Sequence, residues 1–93
     1  MKTRRYKNVW DALEDSAGTA ANMRLRADLV LAVQDYVTKS EATQGAVIKQ
    51  LGIRQPRLSD LLRGRIDKFS VDALVVMLAR IGKQISIKIY NAA

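Results

Sequence analysis

The chain has 93 residues, 48% hydrophobic and 27% charged, with a formal net charge of +7; that is room for one globular domain with short arms, and a surplus that attracts polyanions such as nucleic acid. Neither Cys nor His occurs, which excludes disulfide scaffolds, thiolate or imidazole metal sites, Cys/His nucleophile pairs and Ser-His-Asp triads, so no metal and no cofactor is expected. No apolar run approaches the roughly 18 residues of a membrane span and no apolar segment follows the basic N-terminus, so the reading is a soluble cytoplasmic protein with no membrane partner.

Residues 1–15 read as a basic N-terminal arm carrying Lys2, Arg4, Arg5 and Lys7, ending in a short turn docked by Val9, Trp10 and Leu13. Ser16 is a candidate N-cap for a long helix. Within Thr19 to Lys39, Leu25, Leu29, Ala32, Val33, Tyr36 and Val37 recur at spacings of three and four, one apolar stripe that Val30 and Leu31 broaden. Trp10 and Tyr36 read as core packing.

Thr43 caps a second predicted helix, Gln44 to Leu51, with Ala46, Val47, Ile48 and Leu51 as its apolar positions. Gly52 ends it and Ile53 plugs the turn. A third helix starts near Gln55 with Pro56 in its first turn, turns Leu58, Leu61 and Leu62 inward, and ends at Arg63-Gly64. Ser70 caps a fourth, whose stripe is Val71, Leu74, Val75, Leu78 and Ile81; Gly82 stops it. The period then changes, and Ile85, Ile87 and Ile89 alternate with Ser86, Lys88 and Tyr90, a strand pattern. One strand in a helical chain has no internal partner. The isoleucines either pack on their own helices or pair with the same strand of a second copy, the economical way to cover a sticky edge.

The charge is unevenly spread: +4 over residues 1–10, −3 over 11–42, +4 over 43–68 and +2 over 69–93. The long first helix is acidic while the central segment is basic, which suggests one face for an anion and another for something else.

Two short helices joined by a tight Gly-containing turn, over residues 43–64, make a helix-turn-helix. The strings Thr43-Gln44, Leu51-Gly52-Ile53 and Gln55-Pro56-Arg57-Leu58-Ser59-Asp60-Leu61, with Ala46 and Gly64, resemble the Cro/repressor-type (XRE) helix-turn-helix family. Ala20-Ala21-Asn22-Met23-Arg24-Leu25-Arg26 before the motif and Gly64 to Ser70 after it are similar to the HigA-like antitoxin subgroup, over roughly residues 10 to 90. The resemblance implies a mainly all-α, lambda-repressor-like bundle of four to five helices: an arm at 1–15, the helix-turn-helix domain at 16–82 and a dimerisation strand at 83–93. Ile48 departs from the pattern, which has a small Ala there; the two helices splay slightly, or Ala46 and Val47 take up the slack.

In such a bundle the start of the third helix enters the major groove of double-stranded DNA. Gln55 suits adenine and Arg57 guanine, both bidentately. Ser59 is placed for a base or a phosphate, and Arg54 for a base edge or a phosphate. Asp60 either accepts from cytosine or orients Arg57 or Arg63. Thr43 and Gln44 sit where helix N–H groups favour a phosphate, and Lys49, Arg63, Arg65 and Lys68 would add backbone contacts. The bland reading of these cations is a solvated basic face, and the N-terminal arm either enters a minor groove or makes no defined contact. The expected function is a homodimeric transcriptional repressor of its own operon, reading an inverted repeat. The alternative adds an antitoxin role toward a RelE-like mRNA-cleaving toxin. With no metal-ligand cluster and no phosphate loop behind a strand, an enzyme is not expected.

Overall fold

The computed structural model describes the backbone from Val9 to Asn91 and the side chains from Ser16 to Asn91. The expectations for Lys2, Arg4, Arg5 and Lys7, and for docking by Val9, Trp10 and Leu13, fall outside the described residues and side chains.

Four α-helices and one 3₁₀ turn follow each other in the order α1 (Val9–Lys39), α2 (Gln44–Leu51), α3 (Gln55–Leu62), the turn Ile66–Lys68, and α4 (Val71–Arg80). Helix α1 starts at Val9, so Ser16 lies inside it instead of capping it. The stretch Val9 to Asp15 contains no Pro or Gly to stop a helix, and Asp11, Glu14 and Asp15 suit the positive end of the helix dipole. At 1.5 Å per residue, 31 residues make a rod of about 46 Å, longer than the rest of the fold is wide; the extents are 52 × 29 × 22 Å.

Among the described side chains of α1, those that belong to the core lie in its C-terminal half. Leu29, Val30 and Val33 are buried and Val37 packs against them, while Leu25 and Leu31 stay exposed. The broad expected stripe therefore narrows to the face that α4 covers. Val47 and Leu51 of α2, Leu58 and Leu61 of α3, Phe69 of the linker, and Leu74, Met77 and Leu78 of α4 complete the core. Three further expected core positions are corrected. Leu62 and Val75 are about two-fifths exposed, at 38% and 40%, and Ala32 lies on the surface. Each sits on the flank of its helix, one step of about 100° from a buried neighbour. Met77 and Phe69 take the interior places instead. At the Ile48 departure, Val47 occupies the core and Ile48 packs at its edge, so the larger side chain is accommodated at the margin.

The helix ends are closed largely as the sequence indicates. The Thr43 hydroxyl accepts from the Ala46 N–H and the Ser70 hydroxyl from the Ala73 N–H. Gly52 adopts φ 72°, in the left-handed region, and its N–H donates to the Ile48 carbonyl. Pro56 sits in the first turn of α3 behind Arg54, which holds the N-cap position without a side-chain cap.

After α4 the chain turns, the Lys83 N–H donating to the Leu78 carbonyl, and residues 83–91 continue without regular hydrogen-bonded structure. No strand occurs among the described residues, and none of them offers this segment a ladder partner. Ile85 lies beside Leu29, Ala32 and Leu78 in a shallow groove. Ile87 and Ile89 are 79% and 89% exposed. Among the described residues no helix is long and apolar enough to cross a membrane.

Candidate nucleic-acid interface

Helix α3 buries one side and shows the other to solvent. Leu58 and Leu61 are fully buried, three residues apart and so on one face. Gln55, Ser59 and Arg63 recur every four residues on the opposite side; Gln55 and Arg63 are exposed and Ser59 half-buried. Asp60 is half-buried at the edge of this face, and Arg54 is exposed immediately before it.

The first residues of α2 and α3 touch. Gln55 Nε2 donates to Gln44 Oε1 at 3.3 Å. A primary amide has two N–H groups and a carbonyl, so this bond leaves Gln55 one donor and one acceptor. Those are the groups that match the N7 acceptor and N6 donor of adenine in the major groove. The bond between two exposed amides also narrows the rotamers of Gln55 before any partner arrives, which lowers the ordering cost of binding.

Arg57 is placed differently. Its Nη1 donates to the Lys68 carbonyl at 2.7 Å, and its guanidinium carbon lies 4.2 Å from the centroid of the Phe69 ring. The side chain is half-buried against the linker, and it engages Lys68 and Phe69 instead of Asp60. Of the expected base-reading residues, Arg54, Gln55, Ser59 and Asp60 thus share the open side of α3, whereas Arg57 lies on its linker flank.

The expected phosphate-contacting residues are all exposed, on α2, the turn after α3 and the linker. Thr43 and Gln44 stand at the N-terminus of α2, where Thr43 is occupied as a cap. Arg63 and Arg65 bracket the tight turn after α3, held by Gly64 N–H to Leu61 carbonyl and Arg65 N–H to Asp60 carbonyl bonds. Lys68 is exposed at the end of the 3₁₀ turn and Lys49 in the last turn of α2.

Three supports of this face were missed in the sequence. Arg80, from the end of α4, donates Nε to the Gln50 carbonyl at 3.1 Å and Nη2 to the Lys49 carbonyl at 3.2 Å. It thereby satisfies carbonyls that the end of α2 leaves open. A Cβ at Gly52 would stand 2.6 Å from Arg80 Nε, so a side chain there would push the guanidinium aside, and the left-handed φ already favours glycine. Tyr36 donates its hydroxyl to Gln50 Oε1 at 2.7 Å, tying α1 to α2. Gln34 Nε2 donates to the Leu61 carbonyl at 2.7 Å, tying α1 to the end of α3. All are polar side chains bonding across 14 to 31 residues, and periodicity carries no signal for such pairs.

A family model described as a helix-turn-helix domain matches residues 12–90. No curated protein is matched by the sequence.

Proposed function

The chain belongs to the helix-turn-helix domain family, and on that premise we propose that it is a sequence-specific, dimeric transcriptional regulator that represses its own operon. The observation that carries this reading is the Gln44–Gln55 bond: it presents an oriented amide at the start of a helix whose back is buried and whose front is polar. Gln55 reads adenine, Ser59, Asp60 and Arg54 add contacts along the groove, and Thr43, Gln44, Lys49, Arg63, Arg65 and Lys68 hold the flanking phosphates.

The dimer rests on the C-terminal segment. Ile85, Ile87 and Ile89 alternate with polar residues, and the last two of these isoleucines are almost wholly exposed. Pairing with the same segment of a second copy supplies the missing ladder and covers them. A two-fold pair of α3 helices then meets an inverted repeat with half-sites about one helical turn apart.

The test is selection of duplexes from a random library by the purified chain, followed by titration at several salt concentrations. The expected result is a palindromic site with adenine at a fixed place in each half, and affinity that falls steeply with salt. Gln55→Ala should relax that adenine preference by about 1–3 kcal/mol. Selection of no sequence, or weak binding indifferent to salt, would remove the reading.

A second role is favoured by one observation. The described part of α1 before the core, from Ser16 to Asp28, is mostly exposed, Leu25 included, in the segment where the charge is −3 over residues 11–42. Such a surface fits a basic protein partner, and the HigA-like resemblance suggests an mRNA-cleaving toxin. Co-expression with the product of an adjacent reading frame should give a complex that loses its stability when residues of this part of α1, such as Leu25, become charged.

A further inference from the structure

We propose that Arg57, although it lies on the recognition helix, is a positioning residue: its guanidinium clasps the linker of residues 65–69 to α3 and so presents Arg65 and Lys68 to the DNA backbone. The inference rests on the DNA-binding reading above and reassigns one residue within it.

Three features converge on this role. The first is angular. At about 100° per residue, Gln55 and Arg57 project about 200° apart around α3. Gln55 lies on the flank toward α2, where it meets Gln44, and Arg57 on the flank toward the linker. Leu58 and Leu61 fill the space between these flanks on the core side, so the open side is centred on Ser59 and Arg63, away from Arg57.

The second is the double engagement of the guanidinium. It donates to the Lys68 carbonyl at 2.7 Å and stacks over Phe69 at 4.2 Å. Bidentate recognition of guanine needs two adjacent N–H groups in the groove, and reaching it would cost both contacts. Phe69 is fully buried, so the ring is a fixed platform. The guanidinium forms a lid over one face of the core.

The third is what the clasp holds. The linker is a single 3₁₀ turn with its own short bonds, Lys68 N–H to the Arg65 carbonyl and Phe69 N–H to the Ile66 carbonyl. Turns of this length are weakly stable by themselves. Arg65 and Lys68, at the two ends of the turn, are exposed cations next to α3. Fixing the Lys68 carbonyl fixes the backbone from which both project, and a preorganised cation loses less entropy on meeting a phosphate.

A positioning residue and a base-reading residue predict different mutant behaviour. Arg57→Ala should weaken binding to the selected duplex and to an unrelated duplex by the same factor, on the order of tenfold. It should lower the slope of log affinity against log salt by about one to two for each chain bound, the loss of one or two phosphate contacts per chain. The base preference at every position of the site should stay within about twofold of the wild type. Without DNA, hydrogen exchange should accelerate at the amides of residues 66–69 and remain slow at Leu58 and Leu74, which shows that the variant is folded.

Collapse of preference at one base position per half-site by about fivefold or more, with binding to the unrelated duplex unchanged, would make Arg57 a base reader and overturn the proposal. Unaltered exchange at residues 66–69 would overturn the clasp whether or not DNA binds. Failure of the wild-type chain to select any sequence is a separate result, which strikes the DNA-binding reading and leaves the exchange measurement to judge the clasp.

Discussion

The helix-turn-helix unit, residues 43–64, and the C-terminal segment, residues 83–91, carry apolar side chains to opposite ends. In the first, Val47, Leu51, Leu58 and Leu61 are buried, and the helix ends are closed by Thr43, Gly52, Arg80 and Gln34. In the second, three isoleucines alternate with polar residues, and burial decreases along the run until Ile89 is 89% exposed. The first region is completed inside one chain. The second has the pattern of a half-buried strand, yet among the described residues only Ile85 finds apolar neighbours, Leu29, Ala32 and Leu78, and Ile87 and Ile89 are left to solvent.

That contrast is first tested where the chain is self-sufficient. Leu58→Ala removes a fully buried side chain at the point where α3 meets the core, and should cost about 2–5 kcal/mol of stability. Urea unfolding should show a lower midpoint, and DNA binding should fall with the folded fraction. A loss well under 1 kcal/mol would mean that α3 is not held by its buried face.

Next comes Gly52→Ala. The left-handed φ of 72° alone costs an alanine about 1–2 kcal/mol. The added Cβ also displaces Arg80, leaving the Lys49 and Gln50 carbonyls without that donor. The double variant with Arg80→Ala should be less destabilised than the two single losses added together, because the clash and the cap share one guanidinium. Additive losses would show that Gly52 and Arg80 act independently.

The sequence made the helix-turn-helix legible because its signals are local: a Thr cap, a Gly stop, Pro in a first turn, and leucines three apart. Its limits appear where packing is decided by neighbours distant in the chain. Val75 and Leu62 have the right spacing for burial, but no described element covers their flanks, and Phe69 in the linker is buried although it belongs to no periodic stripe. The site shows the same division. Gln44 and Gln55 were marked by their places at helix starts, yet the bond between them is a matter of tertiary placement. Arg57 was read as a guanine contact because its type and position suit one; the carbonyl and the ring that engage it come from Lys68 and Phe69, 11 and 12 residues further on. The alternation in residues 85–89 was legible too, but no strand forms from it among the described residues.

The smallest effect on stability is expected in that C-terminal segment. Ile87 and Ile89 are nearly bare, so replacing both with Ser removes almost no buried area from the monomer. At concentrations where the chain is monomeric, unfolding should shift by less than about 0.5 kcal/mol. Sedimentation at higher concentration should nonetheless change from dimer to monomer, and binding to an inverted repeat should become weaker while binding to a single half-site is retained. The two readouts are independent, because a residue that contributes little to its own fold can contribute much to a contact between copies. If the double variant remained dimeric, the alternation in residues 85–89 would have to serve something other than self-pairing, and the exposed flank of α4 around Val76 would be the next face to test.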